Sequence, residues 1–293
     1  MEFLNILCCA NGCSGNEKNV AGLIADYVRS FADSVTTDAL GNLIVHKKGN
    51  GKKLMFVAHM DEVGFFTTIS SEKNIKVATV GDIDIKKINN ILIKFENGNV
   101  GIMTAEKADK ISEYNVDLLA PYTDLTGITA VYDENFKIIG DSVVSKALSS
   151  RACCYCLTQI IKQLNSDYDL YFVFTVKKNI GMKGAKVAAF GIKPDYAVVI
   201  DAISADMPSV VAKDKHYIVD NVLKTKLSEC GFGVVVDKEL ATEGSVLQVT
   251  GDGVKTSVIG INVKYINTPN ETCKISDINN TIDYLKKFIE KEI

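Results

Sequence analysis

Apolar residues recur at Val20, Ile24, Val28 and Phe31, the spacing of one face of a helix, directly after Ser14-Gly15-Asn16-Glu17, which has the form of a capping box. An amphipathic helix is expected to begin there. Leu54 to Ala58 is a short, wholly apolar run bounded by polar residues, the pattern of a strand covered on both faces, and it stops at His59-Met60-Asp61. From about Thr67 to Asp141 the pattern changes to short β-rich runs, such as Ile91-Leu92-Ile93-Lys94-Phe95 and Val100-Gly101-Ile102, separated by turn residues such as Asn97-Gly98. Beyond it, helix and strand patterns alternate: a helix over Ala152 to Leu164, a strand over Leu170 to Val176, a helix over Lys183 to Phe190 and a strand over Tyr196 to Ile200. A helix from about Tyr217 to Glu229 should end at Gly231, followed by a strand over Val258 to Val263 and a closing amphipathic helix over Asp277 to Lys291.

This alternation predicts an α/β fold with a mixed, largely parallel sheet flanked by helices, interrupted by a small β-barrel. The expected division is a discontinuous α/β domain made of residues 1–66 and 142–293, with residues 67–141 as the inserted β domain. Buried parallel strands place their catalytic groups just beyond their carboxyl ends. The polar residues that follow the apolar runs are His59 and Asp61, then Lys177 and Lys178, then Asp201, with Asn267 a few residues past the last strand.

Composition narrows the choices. The chain has 293 residues, enough for one substantial core and a second smaller unit, and its net charge of -3 offers no basic field for nucleic acid or anionic lipid. No apolar run approaches the roughly 18 residues that span a bilayer, and Met1-Glu2-Phe3 lacks the positive region of a signal peptide, so a cytoplasmic protein is expected. Eight cysteines occur without two CxxC pairs, which favours reduced core thiols over a zinc knot. The three histidines, His46, His59 and His216, limit any metal site at the outset.

Ala58-His59-Met60-Asp61-Glu62-Val63-Gly64-Phe65 resembles the AHMDEVGF motif of metallopeptidase family forty-two, which includes glutamyl and tetrahedral aminopeptidases and proteins once labelled cellulase M or endoglucanase. Ordered segments extend the resemblance: Gly12 to Glu17 to GVSGYE, Asp38 to Leu43 to DxLGNL, Lys146 to Arg151 to KALDDR, Thr175 to Ala185 to TVQEEVGLRGA, and Lys264 to Pro269 to RYIHTP. The resemblance implies two divalent ions, commonly zinc or cobalt, that polarise the peptide carbonyl and a water, with a glutamate as base.

Carried over by position, His59 and Asp201 would be ligands of the first metal and Asp61 would orient His59. The bridging aspartate position holds Ser149, the base position Lys177, the second-metal glutamate position Lys178 and the second-metal histidine position Asn267. A hydroxyl, two ammonium groups and an amide are poor substitutes for carboxylates and an imidazole at a dinuclear centre. A lysine in this setting would pair with Asp61 or Asp201. The expectation is therefore a member with little or no peptidase activity, holding no metal or one weakly bound divalent ion. It would act as a binding or assembly subunit, as a homo-oligomer and alongside an active paralogue, with peptides as ligands. The competing expectation is an active aminopeptidase that trims short peptides with a reduced metal site. The absence of tryptophan argues against a sugar-processing enzyme.

Overall fold

The computed structural model describes residues 1–104, 113–163 and 166–291. The large sheet has a parallel centre because its strands are apolar on both faces and are buried along most of their length. Lys53–His59 runs parallel to Asp169–Thr175 on one side and to Tyr196–Ile203 on the other, and Tyr196–Ile203 pairs in parallel with Lys255–Lys264. Every residue of Tyr196–Ile203 is buried, as are Leu54 to His59. Antiparallel strands extend both sides: Leu43–Lys47 and Ser34–Thr37 beyond Asp169–Thr175, and Glu271–Lys274, Ser142–Ser145 and Lys137–Ile139 beyond Lys255–Lys264. Helices Glu2–Cys9, Leu148–Gln163 and Ile275–Ile289 pack together against the sheet.

The second unit is a closed antiparallel barrel of six strands: Gly64–Ser71, Asn74–Val80, Glu113–Leu118, Val100–Thr104, Ile91–Phe95 and Thr129–Tyr132. It has its own core, in which Phe65, Val77, Ile93, Phe95, Met103 and Tyr132 pack together. The barrel begins at Gly64, five residues after the central strand ends at His59, so the strand end that carries polar groups is also the crossing into the barrel. Lys137–Ile139, within the stretch expected to be inserted, instead pairs with Ser142–Ser145 in the large sheet.

The expected helices form with shifted ends. Leu148–Gln163 begins four residues before Ala152, and Leu164 lies outside the described residues. Asn221–Cys230 starts later than Tyr217 because Asp220 caps it, its carboxylate accepting from the Val222 and Leu223 amides; Gly231, at φ +123°, ends it. A short helix, Glu2–Cys9, precedes the first amphipathic one, Lys18–Val28. The capping box does not form. Ser14 and Glu17 make no cap to that helix and turn instead toward the strand ends.

Candidate functional site

The carboxyl ends of Lys53–His59, Asp169–Thr175 and Tyr196–Ile203 converge on a cavity of about 290 Å³. It is small for a ligand pocket, for which roughly 300–1,000 Å³ is usual, and suits a small molecule or one end of a chain. His59, Asp61, Lys178, Asn179, Asp201, Ser149, Asn267 and Glu271 line it, with Asp82 and Tyr132 from the barrel side.

Two tight turns place the polar groups. After Thr175 the chain is gripped by Asn42, whose Oδ1 accepts from the Val176 amide while its Nδ2 donates to the Gly184 carbonyl. Gly184 is required there, since a Cβ would lie 2.3 Å from Asn42 Oδ1 and 2.5 Å from the Val176 carbonyl oxygen. Lys177 then adopts φ +60°, its amide donating to Glu17 Oε1 at 2.9 Å, and this reversal sends consecutive lysines in different directions. Lys177 lines a separate groove with Glu17, Leu40 and Gly41, whereas Lys178 lines the cavity.

Within the cavity wall, Asp61 is fully buried and accepts from Ser14 Oγ at 2.8 Å, from the amides of Lys178 and Asn179 at 3.0 and 2.9 Å, and from Asn179 Nδ2. His59 Nδ1 donates to the Asp61 carbonyl at 3.0 Å and lies 3.3 Å from Asp61 Oδ1. His59 Nε2 lies 3.6 Å from Asp201 Oδ1, and Lys178 Nζ lies 3.4 Å from Asp201 Oδ2. Carboxylate, imidazole, carboxylate and ammonium thus alternate, and the Lys178 amide on Asp61 closes the circuit. Buried His59 Nε2 and Asp201 Oδ2 have no hydrogen-bond partner of good geometry.

The electrostatics follow from this alternation. Burial and the nearby Lys178 ammonium oppose protonation of His59, but the two aspartates outweigh both and raise its pKa to about 9. Asp201 is held at about 2, because Lys178 and His59 overcome the penalty of burial. Asp61 is likewise held below the usual carboxylate range, against burial, by His59, the Asn179 amide and Ser14. For Lys178 burial favours the neutral amine, yet Asp201, Asp61 and Glu243 keep it charged, with its pKa above the ordinary lysine value.

Ser149 and Asn267 are occupied elsewhere. Ser149 Oγ donates to Glu271 Oε1 at 3.1 Å and its amide donates to Glu271 Oε2 at 2.6 Å. Asn267, at φ +64°, donates its amide to Glu271 Oε1 at 2.7 Å and its Nδ2 to the Asp82 carbonyl. Glu271 and Glu243 were not marked by the strand-end pattern. Glu271 opens a short strand instead of following one, and Glu243, which accepts from Thr175 Oγ1 at 2.8 Å, lies seven residues beyond the strand Gly233–Val236, at the start of the helix Gly244–Leu247. Burial pushes each of them up to about 7. Behind the wall, Glu62 is held by Lys146 Nζ at 2.9 Å and Arg151 at 3.0 Å, all three almost fully buried. Arg151 also donates to the Met60 carbonyl.

The donor set does not fit a pair of divalent ions. Among the described residues no three His, Cys, Asp or Glu side chains are grouped to hold one. An ion about 2.1 Å from Asp201 Oδ2 would lie roughly 5 Å from the Lys178 ammonium, where a +2 and a +1 charge repel by about 7 kcal/mol at an effective dielectric of 20. All eight cysteines are free, and burial raises the pKa of thiols such as Cys8 and Cys154 to about 12, so they add no soft donor. Among the described residues no helix is long and apolar enough to cross a membrane.

Residues 41–284 match the M42 glutamyl aminopeptidase family. A protein of Acetivibrio thermocellus, grouped by name with the aminopeptidases, is 32% identical over 95% of this chain and 94% of its own length. The lysyl aminopeptidase of Pyrococcus furiosus is 27% identical over 96% of this chain and 94% of its own. Among solved structures, aminopeptidase APDkam598 from Desulfurococcus kamchatkensis superposes with a TM-score of 0.93 at 25% identity, covering 99% of this chain and 94% of that one. The TET1 peptidase of Pyrococcus horikoshii, described as assembling into a tetrahedron or a large octahedral shell, gives 0.88 at 26% identity over 99% of both chains.

Proposed function

The chain belongs to the M42 glutamyl aminopeptidase family, and from that premise we propose that it keeps the fold and the peptide-end pocket of an aminopeptidase while hydrolysing little or nothing, serving as a binding or assembly subunit. The observation that carries the proposal is the Lys178–Asp201 ion pair inside the cavity. Hydrolysis requires a carboxylate free to take a proton from water and a cation to polarise the carbonyl. Asp61 is engaged by His59 and four hydrogen bonds, Asp201 is paired with Lys178 and Glu62 with Lys146 and Arg151, and Glu271 accepts from three donors. Lys177, at the expected base position, faces a different groove. What the cavity retains is an acidic mouth with Asp82 and Glu239, suited to the ammonium end of a peptide.

Homo-oligomeric assembly is part of the proposal, supported by the shells described for the Pyrococcus horikoshii relative. The barrel, as an inserted domain, would supply subunit contacts, in the cytoplasm and alongside an active paralogue. A second reading rests on one observation, that His59 Nε2 and Asp201 Oδ2 make no hydrogen bond of good geometry; with Lys178 displaced from Oδ2 they could hold a single weakly bound zinc or cobalt ion for residual aminopeptidase activity.

Reporter peptides with a free N-terminal residue, assayed with added zinc or cobalt, separate the two. We expect no turnover, together with light scattering that reports an oligomer. Turnover that disappears in His59→Ala would overturn the binding-subunit reading and establish the second.

A further inference from the structure

We propose that Lys178 is a resident cation of this site, supplying from within the chain the positive charge that the Asp61–His59–Asp201 wall would otherwise draw from a metal ion, so that removing or reversing this one charge creates a cation site. The proposal rests on the reading of the cavity as non-hydrolytic, and it adds what took the place of the metal.

Its basis is geometric. Two carboxylates, on Asp61 and Asp201, are almost completely buried and face one cavity, an arrangement that persists only when positive charge is close. Asp201 divides its two oxygens between His59 Nε2 at 3.6 Å and Lys178 Nζ at 3.4 Å. Two ligands of a tetrahedral zinc ion, each about 2.1 Å from it, stand about 3.4 Å apart, so the His59 and Asp201 atoms have nearly the separation of co-ligands. Neither His59 Nε2 nor Asp201 Oδ2 makes a hydrogen bond of good geometry, and the group that faces Oδ2 is the Lys178 ammonium at 3.4 Å.

Lys178 reaches this point through a fixed path. Its amide is bonded to Asp61 Oδ1, the preceding residue is locked in the left-handed region, and Gly181 and Met182 donate back to its carbonyl. With its side chain only 17% exposed, the ammonium is positioned by the backbone and is not a mobile surface charge. Lys177, one residue earlier, points away. The cation is therefore a property of one position rather than of the lysine pair.

The test is zinc stoichiometry on the full chain, by native mass spectrometry and elemental analysis after zinc loading and removal of loose ions, with the zinc-induced shift of the melting midpoint as a second readout. The wild type and Lys178→Arg, which keeps the charge, are expected to retain no zinc and show no shift. Lys178→Glu, which adds a third ligand beside His59 and Asp201, is expected to retain one ion per chain, and neutral Lys178→Gln to bind zinc at least about a hundredfold more tightly than the wild type. One zinc per wild-type chain would overturn the proposal, as would a Lys178→Glu protein with wild-type circular dichroism that retains none. If Lys178→Glu does not fold, Lys178→Gln decides by the same comparison. Peptide turnover by a zinc-free wild type would remove the non-hydrolytic reading and leave the resident cation intact.

Discussion

Lys178 and Asp201 form an ion pair at 3.4 Å across the floor of the cavity, with the aspartate 3% and the lysine 17% exposed. The pair joins the end of one central strand to the turn after another, so it is both a charge balance and a tertiary tie. Removing the lysine leaves a buried carboxylate with only His59 for compensation.

Lys178→Met is expected to lower stability by about 2–3 kcal/mol, less than the roughly 3–5 kcal/mol lost on breaking a fully buried pair because His59 still faces Asp201 and the ammonium is partly solvated. Urea denaturation at neutral pH measures it. A loss within about 0.5 kcal/mol of zero would show that the pair carries no net stabilisation.

The neighbouring lysine should behave differently. Lys177→Gly is expected to leave stability unchanged or raise it by about 0.5–1 kcal/mol, because the position is held at φ +60°, where glycine is unstrained, and the amide bond to Glu17 is kept. The same denaturation series checks this. A loss as large as that of Lys178→Met would mean that the Lys177 side chain has a structural role in its groove.

Stability should be greatest near pH 4–5 and decline on both sides. The depressed pKa values of Asp61 and Asp201 contribute stability that is present above their unfolded values near 3.8 and is lost as pH falls toward about 2. The raised values of Glu243 and Glu271, about 7, and of His59, about 9, contribute stability that is full below their unfolded values of 4.5 and 6.5 and is lost as pH rises through 7 and 9. Glu243→Gln, which can still accept from Thr175, should flatten the decline between pH 4.5 and 8 by about 3 kcal/mol. Denaturation curves at pH 4.5, 7 and 9 for both proteins check this, and parallel slopes would contradict it.

Glu62 balances Lys146 and Arg151, which are 1% and 0% exposed. Glu62→Gln is expected to cost at least about 3–5 kcal/mol, since two buried cations lose their counter-charge, and added zinc should not offset the loss. A thermal scan with and without zinc measures both. Stability within about 1 kcal/mol of the wild type would indicate that another group compensates these cations.

Those parts of the molecule that depend on local pattern can be read from the order of residues. Runs buried on both faces must be continuously apolar, so the central strands and their first polar residues, His59, Asp61 and Asp201, were legible where apolar character stops. The change to short β-rich runs marked the barrel, and the ordered motifs marked the family. Tertiary structure alone decided which groups meet. Ser14 and Glu17 have the spacing of a capping box, yet their hydroxyl and carboxylate go to Asp61 and to the Lys177 amide, because the buried strand ends offer stronger partners than a helix terminus open to water. The direction of each lysine was decided by one left-handed residue, held by a contact 160 positions away in the chain. Glu243 and Glu271 entered the site from segments with no pattern of their own, since proximity across a sheet is set by how distant strands pair and leaves no periodic mark in the chain.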